Sequence, residues 1–70
     1  MNPFKQLRQN RQATALAKVL ARHKYASRHA AQMTLDDWDY AATLARVNAP
    51  SIETRALVIE LLAQREAVAA

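Results

Sequence analysis

Not one of the 70 residues is glycine, and only Pro3 and Pro50 are proline. Ala, Leu, Arg and Gln dominate instead, all of them good helix formers. No stretch alternates apolar and polar residues with the period of two that a half-buried strand needs. The chain is therefore expected to be all-α, and its boundaries have to be read from the two prolines and from polar capping residues.

Asn2-Pro3 offers a cap followed by a proline at the first helical position, which predicts a helix over about 3–23. Its opening is ambiguous. Arg8-Gln9-Asn10-Arg11-Gln12 is polar on every side, so residues 1–12 also read as a flexible basic arm. Residues 27–33 fit either a short helix or an irregular connector. The next start is sharper: Thr34 with Asp37 three residues on forms a capping box, and Met33 with Trp38 has the spacing of a hydrophobic staple. Asp36, Asp37 and Asp39 fall in the first turns, where the helix dipole favours negative charge. This helix is predicted over 35–47, ending at Asn48-Ala49-Pro50 because the residue before a proline avoids the helical region. Ser51 caps a last helix over 52–68, with Glu53 in its first turn. No repeat or long linker divides the chain, so residues 1–70 are expected to form one helical domain.

Burial at 100° per residue shows what each helix has to hide. In the first, Leu16, Val19, Leu20 and His23 share a face, while Phe4 and Leu7 fall off that stripe. In the 35–47 helix the polar arc is narrow, with Trp38, Ala41, Ala42 and Ala45 on one side and Tyr40, Leu44 and Val47 on the other. The last helix carries three apolar stripes: Ile52, Ala56, Ile59 and Ala63; Leu57, Leu61 and Val68; Val58 and Leu62. The apolar content is smaller than it looks, because 16 of the residues are alanine. Burying a large apolar side chain yields about 1.5–3 kcal/mol, against a cost of about 1.5 kcal/mol for ordering each residue. A chain this short is then close to break-even alone. Without cysteine no disulfide can help. A small helical bundle completed by homodimerisation is the expectation, with Val58, Ile59 and Leu62 as the self-association residues.

The charges are segregated. Residues 1–28 hold seven basic side chains and no acid, and residues 29–70 hold three basic ones and all six acids. Arg8, Arg11, Lys18 and Arg22 gather on one face of the first helix, an electrostatic footprint for phosphate. Gln9, Asn10 and Gln12 are placed to add hydrogen bonds to phosphates or base edges. The competing reading is that these cations meet the acidic Asp36-Asp37-Trp38-Asp39 segment within the fold or across a dimer. A helix-turn-helix over Ser27 to Ala45 is disfavoured, since Asp36, Asp37 and Asp39 would enter the groove first and repel phosphates.

Catalytic and metal signatures are lacking. His23 and His29 are six apart, on different helix faces, with no cysteine beside them. The three aspartates lack the glycine and terminal glutamate of a calcium loop. Ser27, Thr34 and Ser51 have no base partner in sequence, and Thr34 and Ser51 are explained as caps. No enzyme activity, cofactor or metal is expected. The longest mostly apolar run, residues 56–63, contains Glu60 and is too short to span a bilayer. With no apolar leader near the N-terminus and no cysteine, a cytoplasmic protein without a membrane partner is expected. The small size and the Ala- and Arg-rich composition resemble small regulatory proteins of phages and mobile elements. The expected function is a non-enzymatic regulator that binds nucleic acid through its basic N-terminal helix. The alternative is an inhibitor or antiactivator that docks on a host protein through the basic face or the apolar last helix.

Overall fold

The helix formers that fill the chain do become helices. A computed structural model describes residues 3–69, and of Pro3 only the backbone. It contains α1 (Pro3–Arg22), α2 (Ser27–Ala30), α3 (Leu35–Ala45) and α4 (Ile52–Ala69), with no strand among the described residues. Asn2, the expected first cap, lies outside them. α1 is unbroken through the polar Arg8–Gln12 segment. α2 is a single turn, shorter than the 27–33 span.

Without glycine, two basic residues take the left-handed conformation that closes a helix: Lys24 at φ 64° and Arg46 at φ 60°. Each closure makes the paired bonds of a Schellman motif. After α1, the Lys24 N–H donates to the Ala21 carbonyl at 3.0 Å and the Tyr25 N–H to the Leu20 carbonyl at 2.9 Å. After α3, the Arg46 N–H donates to Thr43 at 3.2 Å and the Val47 N–H to Ala42 at 3.0 Å. This is why α3 ends at Ala45 rather than at Val47: Arg46 reverses the chain before the restriction imposed by Pro50 is felt. At the other end of α3 the capping box forms as expected. The Thr34 N–H donates to Asp37 Oδ2 at 3.0 Å, and the Asp37 N–H donates to Thr34 Oγ1 at 3.2 Å. Ser51 Oγ accepts from the Thr54 N–H at 3.2 Å and caps α4.

The core lies where α1 crosses α4 and α3, and α2 docks on α4. α1 supplies Ala13, Leu16, Ala17 and Leu20, α3 supplies Trp38, Ala41 and Ala42, and α4 supplies Val58 and Leu62. So many alanines let the helices approach closely, and Leu16 and Val58 are completely buried between them. His23, expected on the apolar face of the first helix, does lie beside Val19 and Leu20 but is exposed.

The last helix resolves its three stripes unequally. Thr54, Val58 and Leu62, spaced by four, form the line that faces the core. Leu57, Ile59 and Leu61 pack half-buried at its edges, whereas Ile52 and Val68 are exposed. The self-association set Val58, Ile59 and Leu62 is therefore not a free surface. Val58 and Leu62, at 0% and 2% exposure, are consumed by the chain's own core.

Candidate nucleic-acid interface

The core residues of α1 fix its rotation, and so fix what it shows to solvent. With Ala13, Leu16, Ala17 and Leu20 turned inward, Arg8, Arg11, Lys18 and Arg22 fall within an arc of about 80° on the far side. All four are exposed. From Arg8 to Arg22 the helix advances about 21 Å, the length of about six base pairs of duplex. Phe4 and Leu7, at 68% and 54% exposure, lie along the same side of the helix.

The N-terminal half of α1 runs past the loop between α3 and α4, and the two enclose an open cleft of about 500 Å³. Lys5, Arg8 and Arg11 line it from α1, and Asn48, Ala49 and Ser51 from the loop and the start of α4. Gln12 Nε2 donates to the Asn48 carbonyl at 2.6 Å and ties the two walls together. Gln12 is thus engaged within the fold rather than offered to a partner. Lys5 belongs to this cationic cluster although helical periodicity alone sets it apart from the arc, and only the packing of the loop brings it in.

Glu53 stands in the first turn of α4, within electrostatic reach of Lys5. Its own backbone N–H and the Ser51 hydroxyl hold its carboxyl below the ordinary value, and the Lys5 charge contributes to the same shift. With Ser51 as cap and Glu53 in the first turn, the start of α4 is already satisfied.

The acids of α3, Asp36, Asp37 and Asp39, are all exposed. The Asp37 carboxylate accepts from the Thr34 N–H in the capping pair, and the Asp39 backbone carbonyl accepts from Thr43 Oγ1 at 3.0 Å. Among the described residues no ion pair joins α1 to α3.

The remaining polar residues hold structure. Glu66 reaches from α4 to the start of α2, where the Ser27 N–H donates to its Oε1 at 3.0 Å. The Ser27 hydroxyl and backbone N–H keep the Glu66 carboxyl below its ordinary value, with Arg28 and His29 adding to the effect. His29 Nδ1 accepts from the Ala26 N–H at 3.0 Å, and its ring meets Tyr25 edge-on at 5.7 Å. Among the described residues no group of His, Asp or Glu is placed to hold a metal ion, and no helix is long and apolar enough to cross a membrane. No protein-family model, curated protein or solved structure matches the chain.

Proposed function

We propose that this protein is a non-enzymatic regulator that binds nucleic acid along α1. The observation that carries the reading is the exposed arc of Arg8, Arg11, Lys18 and Arg22 on a helix without a single acid. Cations displayed in this way exchange their counterions for phosphates, which gives affinity with little dependence on base sequence and a strong dependence on salt. Lys5, at the mouth of the cleft, extends the arc toward the N-terminus. Arg8 and Arg11 serve both arc and cleft, so a backbone following α1 would pass the Asn48 loop as well.

Fluorescence anisotropy with duplex and single-stranded probes tests this. Binding is expected at about 50 mM salt, weakening steeply as salt rises. Replacing Arg8, Arg11, Lys18 and Arg22 together by Gln should reduce the magnitude of the log–log salt slope by about 3–4 for duplex DNA. Absence of binding to every probe at low salt would overturn the proposal. The alternative reading, an acidic protein surface as target of the same arc, would then take its place. The other alternative surface, the apolar face of the last helix, has less to offer, since Val58 and Leu62 are internal.

A further inference from the structure

The cleft between α1 and the loop after α3 offers more than charge. Lys5, Arg8 and Arg11 line it, and among the described residues none of their side chains makes a hydrogen bond or ion pair. Glu53, the acid that Lys5 acts on, is held by its own N–H and by the Ser51 hydroxyl. Two side-chain amides line the cleft as well, Gln9 from α1 and Asn48 from the loop. They too have no partner among the described residues, because Asn48 gives only its backbone carbonyl to the bond with Gln12. Val47 and Ala49 add apolar surface between them.

We infer that this cleft takes one unpaired nucleotide of a bound strand, its phosphate on Lys5, Arg8 and Arg11 and the edge of its base on Gln9 and Asn48. The site rests on the nucleic-acid reading proposed above and deepens it, since it selects for an unpaired base. Three properties select the occupant. Three uncompensated cations in one cleft call for a phosphate. A volume of about 500 Å³ is that of a small-ligand site, enough for one nucleotide and too little to admit a duplex. Each amide carries an acceptor oxygen and two donor hydrogens, so a pair of them can satisfy the edge of any base. That edge is open only where the base is unpaired and unstacked. A bare inorganic anion would use the cations and leave both amides idle. A duplex can lie along the outer arc of α1, but it gains nothing from the cleft.

Fluorescence anisotropy of the full chain, with a blunt duplex and the same duplex extended by a short single-stranded overhang, tests this. The overhang probe should bind about tenfold tighter at equal salt. The double variant Gln9→Ala, Asn48→Ala should remove most of that advantage. It should leave blunt-duplex affinity and the salt slope as in wild type, because neither change removes a charge. Asn48→Ala keeps the carbonyl that Gln12 bonds, and circular dichroism checks that the variant stays helical. Gln32→Ala, an exposed amide outside the cleft, should leave the advantage intact. An overhang probe that binds no tighter than the blunt duplex, or an advantage that survives the double variant, overturns the site and leaves α1 as a nucleic-acid surface. Absence of binding to both probes overturns the site and the proposed function together.

Discussion

Two residues adopt a backbone conformation that their type disfavours. A residue with a Cβ in the left-handed region is destabilised by about 1–2 kcal/mol, and glycine escapes most of that cost. Lys24→Gly and Arg46→Gly are each expected to stabilise the fold by about 1 kcal/mol in urea denaturation. Neither position announces itself in the sequence, because Lys and Arg carry no preference for positive φ. The Schellman bonds impose it. The capping residues Thr34, Asp37 and Ser51 were legible for the opposite reason: their oxygens act within three residues of chain. Glu66 was not legible, since its target, Ser27, lies 39 residues away. Because folding lowers its carboxyl pKa, Glu66 stabilises the protein fully above the ordinary carboxylate range, and this stabilisation is lost as pH falls through that range and below. Glu66→Gln should accordingly lower the melting temperature at neutral pH, with the difference from wild type shrinking as the pH drops toward 3. A constant difference across that range would point instead to a role independent of the Glu66 charge.

Among the elements, α3 was the easiest to foresee and α4 the hardest to orient. The start of α3 is written in its capping box, and Thr34→Ala should cost about 1 kcal/mol in chemical denaturation. α4 has apolar residues on nearly every side, so periodicity could not say which stripe turns inward. The packing decides: Ser51 and Thr54, with hydroxyls 3.1 Å apart, fix its first turn, and Val58 and Leu62 then follow Thr54 toward the alanines of α1. α1 shows a third situation. Its polar opening reads equally as helix or arm, and the tertiary bond from Gln12 to Asn48 lies just where that ambiguity was greatest. Its cationic arc was legible because charge type and helical spacing suffice to place Arg8, Arg11, Lys18 and Arg22 together. The inclusion of Lys5 depends on a loop more than 40 residues downstream.

For the whole molecule, the all-α class follows from composition, but which apolar side chains enter the core and which stay exposed does not. The core rests on a few large side chains among alanines, so each one matters. Leu16 is fully buried in the cluster that α1 forms with α3 and α4. Leu16→Ala should cost about 2–5 kcal/mol, a large share of the roughly 3–10 kcal/mol available to a domain of this length. Loss of dispersed amide resonances in proton NMR spectra at 25 °C, or a much lower melting temperature, is the expected outcome. The path of the chain through this core also sets a schedule. α1 contributes one wall, α4 the facing one, and α2 takes its carboxylate cap from near the end of α4. During synthesis the apolar side of α1 therefore emerges first and has only α3 to rest on until Val58, Leu62 and Glu66 have been added, so the core is completed only once α4 has been made.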